Sequence, residues 1–148
     1  MSADALNAYG ARQPGLTYAP RAAAYAIITR SDGCLALMRQ GGKLDLPGGG
    51  IEAGETPEQA VVRECLEEAG FVVEVRGFVG EALQYFINTD GRPYANHARI
   101  YVAECVAERP EAKVEMDHET EWLTPQDALI SLEKEGYAVV LLSWMRGA

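Results

Sequence analysis

The sequence predicts a single mixed α/β domain, a sheet covered by helices, on three observations. The run Ala22 to Thr29 has the make-up of a buried strand. A helix between Thr56 and Gly70 carries its own start and stop signals. Two alternating stretches in the middle of the chain are followed by helical patterning near its end. At 148 residues the chain suffices for one sizeable core and is short for two.

The elements follow in order. Residues 1–18 contain Gly10, Pro14 and Gly15 and little periodicity, which predicts an irregular arm ahead of a domain spanning 19–148. A strand is expected from about Arg21 to Thr29, a turn at Ser31-Asp32-Gly33, and a returning strand over Cys34–Arg39. Gly41 to Gly54 carries six glycines and Pro47 and must be a shaped loop. Thr56 then stands as N-cap, Pro57 at the first helical position, Gln59 closing a capping box, and Gly70 as the terminating glycine. Phe71–Asn88 and Tyr94–Ala107 alternate as strands do, joined across Thr89–Pro93. Trp122-Leu123 suits a short strand. Thr124-Pro125 opens a second helix through about Glu135, with Asp127 at the capping-box position, and Tyr137–Met145 a third.

The net charge of −9 disfavours nonspecific binding to nucleic acids or anionic membranes. The acidity is concentrated, because residues 48–71 hold six glutamates against the single Arg63, five of the nine excess negative charges. A divalent cation there would reverse the local sign. No apolar run is long enough to span a bilayer, and the N-terminus lacks the basic start and apolar stretch of a signal peptide, so a cytoplasmic location is expected. Cys34, Cys65 and Cys105 are widely spaced in apolar surroundings, which points to reduced cysteines packed as small hydrophobes.

On a helical wheel Val61, Cys65, Ala69, Val62 and Leu66 span roughly 100° to 240°, and Glu64, Glu67 and Glu68 roughly 340° to 80°. Three like charges on one ridge cost about 0.2–0.5 kcal/mol per neighbouring pair. Arg63 relieves part of that by reaching Glu67. Either this is a solvated acidic face, or the carboxylates are hard oxygen ligands for Mg²⁺ or Mn²⁺, with the rest of the shell left to water and substrate phosphates.

The full string is more specific. Gly49, five residues, Glu55, seven residues, then Arg63-Glu64-Cys65-Leu66-Glu67-Glu68-Ala69-Gly70-Phe71 resembles the Nudix box over 23 residues, with every fixed position filled and Cys65 the loosest fit. Leu46-Pro47-Gly48 resembles the lead into it. The resemblance implies a Nudix-type α/β/α sandwich with a mixed central sheet. It also implies a pyrophosphohydrolase that uses Mg²⁺ or Mn²⁺ on a nucleoside diphosphate linked to another group.

Position by position, the resemblance makes Glu64, Glu67, Glu68 and the backbone carbonyl of Gly48 the metal ligands. Arg63 orients the glutamates, Glu55 holds Arg63 and the loop, and Gly49, Gly50 and Gly54 let the loop turn back so that its backbone approaches metal and phosphate. Glu64, Glu68 or an acid from a later loop takes the proton of the attacking water. Glu119 is the first choice for that acid and Glu115 the next. A catalytically silent module that senses a nucleotide or nucleotide sugar is the alternative function. An isomerase of isoprenoid diphosphates on the same fold would want a positioned cysteine, and these three look buried.

Arg21, Arg39, Arg92 and Arg99 are the cations best placed to meet a polyphosphate, Arg39 foremost because it ends the strand before the glycine segment. Tyr85, Phe86, Tyr94 and Tyr101 suit either cross-strand packing or stacking on a base. His97 and His118 lack companions at metal-ligand spacing and are expected to be packed or hydrogen-bonded. Trp122 and Trp144 are expected as core anchors. A homodimer is compatible with an arm that packs across the molecule.

Overall fold

The computed structural model describes residues 6–147; Ala148 and the first five residues of the expected arm lie outside the described residues. The elements run β1 (Ala8–Tyr9), β2 (Ala19–Ile28), β3 (Leu35–Gln40), β4 (Lys43–Asp45), β5 (Gly48–Gly50), α1 (Pro57–Ala69), β6 (Phe71–Ile87) and β7 (Pro93–Glu108). A 3-10 turn at Pro110–Ala112, β8 (His118–Leu123), α2 (Pro125–Ser131) and α3 (Glu135–Met145) complete them.

A five-stranded sheet has the order β1-β6-β7-β2-β5, and a three-stranded sheet the order β4-β3-β8. The larger sheet is mixed: β2 runs parallel to β7 and β1 parallel to β6, while β6–β7 and β2–β5 are antiparallel. The small and apolar residues of β2 explain its central place, since Ala23 to Ile28 are buried on both faces. Tyr25 and Ile27 face a core shared with Tyr137, Val140 and Leu141 of α3. Ala24, Ala26 and Ile28 face the opposite core with Ala60, Val61 and Cys65 of α1. Helices on both faces of a mixed sheet make the expected α/β/α sandwich.

The local signals in α1 act as read. Thr56 accepts from the Gln59 N–H, the Gln59 side chain accepts from the Thr56 N–H, and Gly70 closes the helix at φ 72°. The buried face is nevertheless rotated from the apolar stripe. Ala60, Val61, Cys65 and Glu68 are buried, whereas Val62 is exposed. The sheet takes the small residues and the helix turns its carboxylates inward, toward the cleft.

Three expectations need correction. The glycine segment is not all loop, since β4 pairs with β3 and β5 with β2. The arm is not wholly irregular, since Ala8 and Tyr9 pair with Leu83 and Gln84 of the same chain. Helix α2 ends at Ser131, where Leu132 turns to extended backbone, buries its side chain and bridges to Leu44. Thr124 caps α2 by accepting from the Asp127 N–H.

Candidate metal centre and cleft

The candidate centre forms where β5 meets α1. Gly48 has φ 142°, and a Cβ there would lie 2.2 Å from the Ala24 carbonyl oxygen. A Cβ on Gly49 would lie 2.0 Å from Glu64 Oε2. Only glycine fits at 48 against the β2 backbone, and a side chain at 49 would displace the Glu64 carboxylate. The Gly48 N–H donates to Glu68 Oε1 at 2.8 Å.

Arg63 joins loop to helix. Its Nε and Nη2 donate to the two oxygens of Glu55 at 2.8 and 3.0 Å, and Nη2 also reaches the Gly50 carbonyl at 2.9 Å. Nη1 donates to Glu64 Oε1 at 2.6 Å and Glu67 Oε1 at 3.1 Å. Those contacts occupy all the donors that a guanidinium has. The pair with Glu55 holds that carboxyl below its ordinary range.

Burial acts in the opposite sense on the inner acids. It pushes the Glu68 carboxyl well above the ordinary range, against the Gly48 N–H, with Glu64, Glu115 and Asp45 adding to the rise. Burial also raises Glu64, outweighing Arg63.

A second segment completes the cluster. The Val114 and Glu115 N–H groups donate to the Glu67 carbonyl at 2.9 and 3.1 Å. Lys113 Nζ donates to the carbonyls of Glu68, Glu115 and His118 at 2.6, 2.5 and 2.6 Å. This ammonium, with three donors for three carbonyls, fastens residues 113–118 to the end of α1. Glu115 and His118 are thereby brought against Glu68, with one potential ligand atom from each within 4.8 Å of the others.

A cleft of about 590 Å³ opens above the cluster, with Glu64, Glu68, Glu115 and His118 in its wall. Arg21 and Tyr25 rise from β2, and Tyr85 and Phe86 from the end of β6. Arg21 donates to Asn96 Oδ1 at 3.0 Å. Asn96 in turn donates to the hydroxyls of Tyr25 and Tyr137 at 3.1 and 2.7 Å.

Two sequence candidates fall elsewhere, for one geometric reason. Met38 and Gln40 of β3 face the cleft, so alternation sends Arg39 to the other side, where it pairs with Glu121. On β8, opposite β3, His118 faces the cleft and Glu119 is exposed outside it. Glu115, the second choice, is in the wall. Glu67 is held by Arg63 and lies outside the lining.

The sequence left His118 without companions, yet its ring stands 3.4 Å from Glu68 and 3.7 Å from Glu115. The local spacing Glu115-x-Asp117-His118 was the available signal. Lys113 carried none. His97 is hydrogen-bonded to Glu81. Arg92 sits beside Asp90 on the surface, Trp122 packs on Phe71 and Trp144 on the α3 core, and all three cysteines are free.

The NUDIX domain family matches residues 19–143. A MutT-like protein of Streptomyces ambofaciens is 35% identical over 128 residues, covering 82% of this chain and 75% of that one. Diphosphoinositol polyphosphate phosphohydrolase 3-alpha of Mus musculus is 33% identical over 88 residues, 60% of this chain, and the match spans about half (51%) of its length. A Nudix hydrolase structure from Nitrosomonas europaea superimposes with a TM-score of 0.71 at 20% identity, covering 86% of this chain and 90% of that one. The chain belongs to the Nudix family.

Replacing Lys113 by Met leaves three carbonyls without their donor and releases the segment. The expected result is a fall in kcat of roughly tenfold to hundredfold with a smaller change in KM, read from steady-state kinetics. The raised Glu68 carboxyl binds its proton more tightly in the folded chain, so its contribution to stability is present at low pH and lost as pH rises. In chelator, wild type should therefore lose thermal stability relative to Glu68→Gln as pH rises above the ordinary carboxylate range. Parallel profiles would contradict this.

Proposed function

We propose that the protein hydrolyses a phosphoric anhydride bond in a nucleoside diphosphate linked to another group, with Mg²⁺ or Mn²⁺ as cofactor. The observation that carries this reading is one wall holding an inner carboxylate cluster beside an arginine that no acid neutralises. Among the described residues, Arg21 contacts Asn96 and the Tyr25 hydroxyl, passes over Gly50 and forms no carboxylate pair.

The donor set suits a divalent cation. Glu68 is 4% exposed and has one oxygen left after bonding Gly48, and Glu115 Oε2 is buried without a hydrogen-bond partner. Carboxylates crowded this way need positive charge between them. Glu64, Glu68 and Glu115 line the cleft and would hold the ion. Glu67 and the Gly48 carbonyl complete the set implied by the box. When bound, the ion lends Lewis acidity and fixed charge to the phosphoryl oxygens.

The chain's own residues do the rest. Arg21 binds the non-bridging oxygens of the diphosphate, replacing water around them. A water oxygen bonds to phosphorus, the anhydride P–O bond breaks, and the departing phosphate keeps the electron pair. The water's proton passes to a cleft carboxylate, Glu64, Glu68 or Glu115. Arg63 keeps Glu64 aimed and Glu55 keeps Arg63 aimed, so both are positioning residues. Gly49 and Gly50 let Glu64 and Arg21 lie close against the backbone.

The other cations of the cleft favour a nucleoside compound over a highly phosphorylated inositol. Lys43 pairs with Glu133 and Lys134 with Asp45, which leaves Arg21 to meet phosphate. Tyr18, Tyr85 and Phe86 line the cleft and supply aromatic surface for a base, with Arg12 and Lys134 lying over the Tyr85 and Phe86 rings.

The test is hydrolysis of nucleoside triphosphates, diadenosine polyphosphates, ADP-ribose, nucleotide sugars and a diphosphoinositol polyphosphate with Mg²⁺ or Mn²⁺. Metal-dependent turnover is expected on a nucleoside compound, with Glu68→Gln lowering kcat at least about a hundredfold. Nucleotide binding without turnover by folded, metal-loaded protein would favour a sensing module instead. Arg21→Met should raise KM roughly tenfold to a hundredfold with less effect on kcat. An unchanged KM would remove Arg21 from the substrate site.

A further inference from the structure

Both ring nitrogens of His118 face carboxylate oxygens. His118 Nε2 lies 3.4 Å from Glu68 Oε2, the oxygen that Gly48 leaves free. On the other side of the ring, Nδ1 lies 3.1 Å from Asp117 Oδ1. A carboxylate on one imidazole nitrogen fixes the ring so that the opposite nitrogen directs its lone pair inward, the arrangement that supports a metal-ligating histidine. The ring is largely covered, 14% exposed, and Lys113 holds the His118 backbone by its carbonyl. Glu115 adds to the cluster a buried oxygen without a hydrogen-bond partner, 3.7 Å from Nδ1 of the ring.

We propose that His118 is itself a metal ligand, together with Glu68 and Glu115, oriented by Asp117, and that the enzyme therefore takes Mn²⁺ in preference to Mg²⁺. This rests on the reading of the site as a metal-dependent hydrolase and narrows its cofactor. Mg²⁺ is a hard ion that favours oxygen and keeps several waters. Imidazole nitrogen gains more from a first-row transition ion, so a mixed nitrogen and oxygen set separates the two where an all-carboxylate set does so less. Asp117 acts through His118 and is a positioning residue.

The test measures binding of Mn²⁺ alone and Mg²⁺ alone to the full chain, by calorimetry and by electron paramagnetic resonance for Mn²⁺. Wild type is expected to bind Mn²⁺ about tenfold or more tightly than Mg²⁺ and to show ¹⁴N modulation in the Mn²⁺ spin echo. His118→Asn should lose that modulation and about tenfold in Mn²⁺ affinity, with Mg²⁺ affinity within about twofold of wild type. Asp117→Asn should keep the modulation but weaken Mn²⁺ roughly tenfold. His118→Asp, which restores a ligand but only oxygen, should bind both ions with the preference for Mn²⁺ reduced. Thermal unfolding of each variant establishes that it is folded.

Absence of nitrogen modulation in wild type, or unchanged Mn²⁺ affinity in folded His118→Asn, would overturn the proposal. If the nitrogen signature is present but no substrate is hydrolysed, the ligand assignment stands and the hydrolase reading falls.

Discussion

The arrangement around Arg63 is the constraint on which the rest of the centre depends. Its guanidinium bonds the Gly50 carbonyl, both oxygens of Glu55 and one oxygen each of Glu64 and Glu67. Without a central cation, α1 would carry its acids inward against mutual repulsion and desolvation. With it, two of them are fixed in direction while Glu68, out of its reach, goes deeper and takes the Gly48 amide. The glycines serve the same constraint, because a side chain at 48 or 49 would strike β2 or Glu64.

The sandwich supplies the frame. Strand β2 is packed on both faces, so its register with β5 sets where Gly48 to Gly50 lie relative to α1. The register of β8 against β3 puts His118 opposite Gln40 on the cleft side, and Lys113 anchors the segment just before it to α1. Acids distant in sequence thus converge on rigid supports, as a site that must hold charge without rearrangement requires.

Much of this was legible beforehand because it rests on short-range chemistry. The caps of α1 and its glutamates belong to one contiguous stretch, and the run 22–29 names a buried strand by composition. What escaped depends on pairing between distant segments. Arg39 looked suited to phosphate until strand alternation turned it toward Glu121. Glu119 ranked ahead of Glu115 until the β8 register turned it away from the cleft, while backbone bonds to Glu67 and Lys113 held Glu115 in the wall. The apolar stripe of α1 misjudged its buried face by leaving out Glu68, because hydrophobicity cannot register a carboxylate that is buried for use. Lys113 and Arg21 owe their importance wholly to neighbours far along the chain.

The two-residue strand β1 has a consequence for how the molecule meets others. Strand β6 lies next to the rim of the larger sheet, and a long flat β-edge invites pairing with a foreign chain. Here Ala8 and Tyr9 occupy its partners at Leu83 and Gln84, while bulges near Val72, Val75 and Phe78 break the regular ladder elsewhere. The two-residue strand therefore acts as a selvedge over one short stretch of that margin, at Leu83 and Gln84.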